Sequence, residues 1–300
     1  MLSLEDALAR IPQWRNKEIS VTELSGGITN KNYRVEVNGE SFVIRLGGAN
    51  TEHLGIDRNV ERIATAAAAS LGIAPEVIYF IEPEGYLVTR FIGGRPLPAP
   101  EVTQPKNLKR VVAALKQIHA LPAIPKTFSP FRIVKDYEQT AKAHGVNSFP
   151  SNFDYLLSKM REVESAFNKE PFTPKLCHND LLNENFLDDG RLRIIDWEYA
   201  GMGDVFFDLA NFAVNHQLND EQDRLLLILY FGEATLKRLA RLKLMEIMSD
   251  FREAMWGMVQ QGISTLDFDF RGYADKHFAR MTGSFEEARF GEWLKELQKP

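Results

Sequence analysis

Four polar residues in one short stretch are spaced for chemistry. His178, Asn179 and Asp180 stand together, Asn185 follows Asp180 after four residues, and Asp196 lies in the segment Ile194-Ile195-Asp196-Trp197-Glu198. Between them the chain reads as a hairpin. Phe186-Leu187 is a short apolar step, Asp188-Asp189-Gly190 is a turn signal, and Leu192 to Ile195 is a second apolar strand. A tight hairpin brings its ends together, so Asn185 and Asp196 are expected side by side with Asp180 just ahead. Three oxygen-bearing side chains on a rigid hairpin suit phosphoryl transfer. That reaction needs a carboxylate to orient the attacking hydroxyl and accept its proton. It also needs hard oxygen ligands for a magnesium ion that neutralises phosphate charge.

The order His, any residue, Asp, four residues, Asn, then Asp after the next hairpin is that of a kinase catalytic loop. On this reading Asp180 is the base, Asn185 and Asp196 hold magnesium, and His178 supports the loop. A solvated surface hairpin is often rich in Asn and Asp, but it has no reason to carry all four in this order.

The elements that must position these residues divide in character. Residues 18–46 read as three strands. The turn Ser25-Gly26-Gly27-Ile28-Thr29-Asn30 lies between the first two, and Asn38-Gly39, a strong hairpin signal, between the second and third. A glycine-rich turn lets backbone N–H groups approach phosphate oxygens, which makes Ser25, Gly26, Gly27, Thr29 and Asn30 nucleotide-binding candidates. Arg45, in the third strand, stands where protein kinases carry a lysine on the phosphates. A helix from His53 to Leu71 supplies Glu61 as its carboxylate partner, with Asp57 as the alternative. Two further strands, Glu76–Ile81 and Tyr86–Phe91, lead through Arg90 and Ile92 to Gly93-Gly94. This strand end and hinge could offer backbone groups to an adenine edge. From residue 104 the spacing of apolar residues is helical. Helices are expected over Lys106–His119, Phe153–Phe167, Asp204–His216, 221–231 and 234–263, with a final one from about Phe270. Asp208 is read as a support for the catalytic loop and His119 as a helix-end packing residue. The proline-rich Arg95–Pro100 marks the boundary between lobes spanning residues 1–92 and 93–300.

At 300 residues and a net charge of −5, the chain is large enough for a substantial core and too acidic for a general nucleic-acid binder. Its one cysteine, Cys177, excludes an intramolecular disulfide framework and reads as a small buried residue. No secretion signal and no membrane-spanning apolar run are present, so a cytoplasmic location with no membrane partner is expected.

The segments SGGITNKNYRV, FVIRL, LGIAPEVIYF, LCHNDLLNENFL, IDWEYAGMGDVFFDLAN and MWGMVQQGIS together resemble the choline/ethanolamine kinase family, within the aminoglycoside-phosphotransferase-like kinases. The resemblance extends over roughly residues 19–280. It implies an α+β, two-lobed, protein-kinase-like fold, with an antiparallel sheet plus helix first and a mainly helical second lobe. It also implies ATP and Mg2+, with transfer of the γ-phosphate to the hydroxyl of choline or a similar amino alcohol. Aromatic faces hold a quaternary ammonium through the ring quadrupole. The family pocket, carried over by position, points to Trp256, Tyr273 and Phe268, with Glu198 facing the same pocket. Val259 stands where family members often place a second aromatic residue, which keeps ethanolamine, thiamine or an aminoglycoside open as acceptors. A nucleotide-binding pseudokinase regulator is the reading from another class, and the intact Asp180, Asn185 and Asp196 oppose it. A homodimer is compatible with the resemblance.

Overall fold

A computed structural model describes residues 2–24, 30–48 and 50–299. The chain divides into two compact units. One runs to Pro96 and includes Asn185–Tyr199; the other comprises Leu97–Glu184 and everything from Ala200 onward.

The first unit is built on a five-stranded antiparallel sheet. Its strands are β1 (Ile19–Leu24), β2 (Asn30–Val37), β3 (Glu40–Gly47), β4 (Val77–Ile81) and β5 (Tyr86–Arg90), in the order β1-β2-β3-β5-β4. Alternation decides the buried face. Val35, Val37, Phe42, Ile44 and Val88 pack with Ala7, Ile11 and Trp14 from a short N-terminal helix, α1 (Leu4–Ala9), and the turn after it. Asn38 and Gly39 take φ of 52° and 82°, the left-handed pair that a two-residue hairpin turn requires.

Helix α2 (Arg58–Ser70) begins later than the helical pattern suggests. Thr51–Leu54 forms a separate 3-10 turn, Gly55 breaks it with φ 70°, and the Asp57 side chain caps α2 by accepting from the N–H groups of Asn59 and Val60. Asp57 is therefore committed to the cap. In this same unit a small sheet joins β6 (Arg95–Pro96), β8 (Phe186–Asp188) and β9 (Leu192–Ile194), and the Ile194 N–H reaches back to Ile73 O at 2.9 Å.

The second unit is mainly helical. It contains α3 (Ala99–Val102), α4 (Pro105–Ile118), α5 (Pro130–Ala143), α6 (Phe153–Phe167), α7 (Val205–Asn215), α8 (Asp220–Phe231), α9 (Leu236–Ile263), α10 (Phe270–Glu286) and α11 (Ala288–Leu297). A two-stranded ladder pairs β7 (Lys175–Cys177) with β10 (Gly201–Gly203). Helix α9 is the axis of the core, with α5, α7, α10 and α11 packed along it. Three helices, α3, α5 and α11, lie outside the sequence expectation. Helix α5 starts at Pro130 under a Ser129 cap, and α11 follows α10 because Glu287 leaves the helical region (φ −62°, ψ 138°). Among the described residues, no helix is long and apolar enough to cross a membrane.

Candidate active site

In the first unit the hairpin does what its sequence promises. Phe186 pairs with Ile194 and Asp188 with Leu192, and the Ile195 N–H donates to Asn185 O at 3.0 Å. Asn185 and the segment entering Asp196 are thus adjacent. Asp196 sits at φ 67°, a left-handed conformation uncommon for a residue with a side chain and concentrated at functional positions.

Arg45 donates through Nη1 to Asp196 Oδ1 and to Glu61 Oε1, both at 2.7 Å. The expected partnership of strand cation and helix carboxylate is present in the geometry. A second guanidinium, which the sequence reading passed over, completes the cluster. Arg58 donates to Glu61 Oε2 at 2.8 Å, to Glu198 Oε2 at 2.9 Å and to Asn30 Oδ1 at 2.8 Å, while Asn30 Nδ2 donates to Glu198 Oε2 at 2.8 Å. Its position at the first residue of α2, three before Glu61, was the available signal, since i and i+3 share a helix face.

Burial holds Arg45 and Arg58 against ionisation, but the surrounding acids outweigh it and push both guanidinium pKa values up. The Glu198 carboxyl is pushed up as well, which for an acid favours the neutral form. Burial first, then the Asp196 charge, raise it to about 7 against the pull of Arg58 and Arg45. Three carboxyl groups face two guanidinium groups, and Glu198 is the one of the three that keeps part of its proton near neutral pH. An amide oxygen at Asn185 and a carboxylate at Asp196 are a hard-oxygen donor set that fits magnesium.

Two sequence candidates make contacts that the sequence reading did not foresee. Glu198, placed in the acceptor pocket by the resemblance, has its carboxylate engaged by Asn30 and Arg58. Arg90 is an exposed residue whose guanidinium pairs with Glu76 and Glu40 across the sheet and lies over the Phe42 ring. Ile92 follows β5 as a half-buried residue. Ser25, Gly26, Gly27 and Thr29 lie outside the described residues.

In the second unit the loop carrying Asp180 is clamped by α7. Asp208 accepts the backbone N–H groups of His178 at 2.9 Å and Asn179 at 2.7 Å, and Asn211, one turn later, accepts that of Leu181 at 2.5 Å. Asn179 takes φ 65°, and the Asp180 N–H donates to His178 Nδ1 at 3.2 Å. His119 backs the clamp with Nε2 3.0 Å from Asp208 Oδ2 and Nδ1 2.6 Å from the Tyr230 hydroxyl. His178 and Asp208 therefore have the supporting roles expected of them. Cys177 is buried, and burial together with the Asp208 charge raises its thiol, which suits a packing residue and not a nucleophile.

The aromatic residues singled out by sequence come together between α9 and α10. Trp256 lies 5.4 Å from Tyr273 and 5.8 Å from Phe270 by ring centroids, and Phe268 lies 6.2 Å from Tyr273. Gly257 allows the close approach. A Cβ there would sit 3.1 Å from both Phe270 O and Ala274 Cβ. Val259 is fully buried in the helix. The carboxylate at this wall is Glu253, whose Oε2 accepts the Tyr273 hydroxyl at 2.7 Å. Burial would raise its carboxyl, but Arg252, His277 and the Tyr273 hydroxyl bring it below the usual range. Glu253 lies one helical turn before Trp256, and a charged Asp250-Phe251-Arg252-Glu253 run inside an apolar helix was the sequence signal for it.

A sheet-and-helix unit followed by a helical unit, with a clamped Asp-bearing loop and an Asn/Asp hairpin, is the build of a protein-kinase-like phosphotransferase. The chain belongs to the choline/ethanolamine kinase family, whose sequence profile matches residues 21–226. A crystal structure of a choline/ethanolamine kinase family protein from Mesorhizobium loti is 32% identical and superposes with a TM-score of 0.83 over 98% of this chain and 97% of that one. Human ethanolamine kinase 1 is 27% identical over 308 residues, 89% of this chain and 68% of that protein. Protein LicA of Haemophilus influenzae is 29% identical over 215 residues, 69% of this chain and 62% of LicA. Membership makes the chain a phosphotransferase that draws on ATP.

Proposed function

We propose that the protein transfers the γ-phosphate of ATP to the hydroxyl of choline or a closely similar amino alcohol. The observation that carries this reading is the wall of Trp256, Tyr273, Phe270 and Phe268 with the buried Glu253 beside it. Aromatic faces and a carboxylate held below its usual pKa suit a cationic headgroup. The name of the human relative, ethanolamine kinase 1, points to an amino alcohol acceptor for that protein.

Asp180 orients the acceptor hydroxyl and takes its proton as the oxygen bonds to the γ-phosphorus and the bond from that phosphorus to the β,γ-bridging oxygen breaks, releasing ADP. The clamp from Asp208 and Asn211 fixes the loop backbone on either side of it. Arg45 binds phosphate oxygens and is itself aimed by Glu61. Asn185 and Asp196 would hold Mg2+, which would neutralise phosphate charge. Ser25, Gly26, Gly27 and Thr29, outside the described residues, stay the sequence's candidates for contact with the phosphates.

The test is purified protein with ATP, Mg2+ and a panel of choline, ethanolamine, thiamine and an aminoglycoside, with product read by phosphorus NMR. Choline phosphate as the best product supports the proposal. Turnover of thiamine or the aminoglycoside alone replaces the acceptor. ATP binding with no acceptor turned over favours a regulator.

A further inference from the structure

One buried charge in the second unit has no task in the mechanism above. Arg252 on α9 is 1% exposed, and burying a guanidinium is costly unless its partners are well placed. Its Nη1 donates to Asp180 Oδ1 at 2.9 Å, and the same nitrogen bonds to Glu253 Oε1. Glu253 Oε2 accepts from Tyr273, and the Tyr273 ring packs on Trp256. A continuous polar path therefore runs from the aromatic wall to the carboxylate assigned as the base.

Two carboxylates thus share one nitrogen of a single guanidinium. We infer that Arg252 is a positioning residue that ties the Asp180 carboxylate to the acceptor wall, so that Asp180 registers the positive charge of the acceptor. The inference rests on the assignment of Asp180 as the base. A cation seated against Glu253 takes up part of that carboxylate's field, and more of the Arg252 charge is then left to hold Asp180 ionised and oriented. A neutral acceptor leaves the two acids dividing Arg252 between them. Other charged or titratable groups face this path. Asp250 stands on α9, with His277 bonded to it at 2.8 Å and Arg280 at 2.7 Å from α10; His178 lies on the loop and Asp208 on α7. Burial first, then the Glu253 and Asp180 charges, raise the Tyr273 hydroxyl well above its ordinary value against the pull of Arg252.

The experiment uses the full chain with choline and its neutral isostere 3,3-dimethylbutan-1-ol, or with ethanolamine and propan-1-ol if ethanolamine is the acceptor turned over. Arg252→Met is expected to lower kcat for the amino alcohol about 100-fold, the low end of what a general base contributes. KM for ATP should stay within about twofold, since uniform binding is untouched. The kcat advantage of the charged acceptor over its isostere should vanish. The acid limb of the kcat/KM profile should move to higher pH, and added guanidinium ion should restore part of the rate in Arg252→Ala.

A folded Arg252→Met protein that keeps the parent's acceptor ratio and acid limb, with no guanidinium rescue, overturns the inference. If the Met and Ala variants do not fold, Arg252→Gln, which keeps a hydrogen-bond donor and removes the charge, is read on the acceptor ratio and acid limb, and parent values for both overturn it equally. Asp180→Asn separates the two claims: near-parent activity in that variant refutes the base assignment itself, whatever Arg252 does.

Discussion

Asp180 and Asp196 carry the same functional group, and their neighbours give them different work. Asp180 is buried, its loop is pinned by backbone hydrogen bonds, and its carboxylate touches Arg252. Asp196 is more open, left-handed in backbone, and paired with Arg45. Asp180→Asn should therefore lower kcat by about 100- to 10,000-fold, the usual range for a general base, with ATP affinity nearly unchanged by calorimetry. Asp196→Asn should weaken nucleotide binding measured with Mg2+ far more than binding measured without it; equal weakening would remove Asp196 from the metal. The order of these residues was legible because their spacing is a property of one short hairpin. The engagement of Glu198 was not, since it depends on Asn30 and Arg58, 168 and 140 residues away in sequence. Spacing within a motif carries no information about such partners.

At the scale of elements, α7 is the device that holds the catalytic loop. Asp208 and Asn211 face one side of the helix at i and i+3 and take three backbone N–H groups of the loop. Asp208→Ala strands two of them, each costing about 1–3 kcal/mol when buried without a partner. Urea unfolding should show a loss of that order along with a fall in kcat; unchanged stability would contradict the clamp. Asp208 was readable from sequence as a support, whereas Asn211 had no distinguishing signal in a helix rich in apolar residues.

Helix α9 makes a second prediction. Burial first, then the Asp223 charge, lift the Glu246 carboxyl from 4.5 to about 8 despite Lys243 beside it. The folded protein then keeps a proton that the unfolded chain releases, so this group's contribution to stability falls as pH rises from about 4.5 to about 8. Glu246→Gln should flatten that part of the stability profile in melts taken across the window. A profile as steep as the parent's would place the effect elsewhere.

For the whole molecule, the informative fact is that its units are not continuous in sequence. Residues 185–199 belong with the N-terminal sheet, where they supply two of the three acids around Arg45 and Arg58. A division at residue 92 was drawn from a change in composition and a proline-rich stretch, and local signals of that kind cannot show a hairpin returning to an earlier unit. A fragment ending at Pro96 lacks Asp196 and Glu198, which leaves two guanidinium groups facing Glu61 alone. That fragment should melt without a cooperative transition by circular dichroism, and joining residues 185–199 to it through a linker should restore one. A cooperative melt of the short fragment would show that the hairpin is dispensable to this unit. Strand alternation, hairpin turns and helical spacing recovered the five-stranded sheet and the longer helices except α5, because those periodicities are local.

The most direct test of the account compares the parent chain and Asp180→Asn in one assay with ATP, Mg2+ and an amino alcohol, following phosphate ester formation while ATP binding is measured in parallel. The account predicts choline or ethanolamine phosphate from the parent and almost none from a variant that still binds ATP. Equal product from both proteins, or ATP bound by the parent with no amino alcohol phosphorylated, would contradict it.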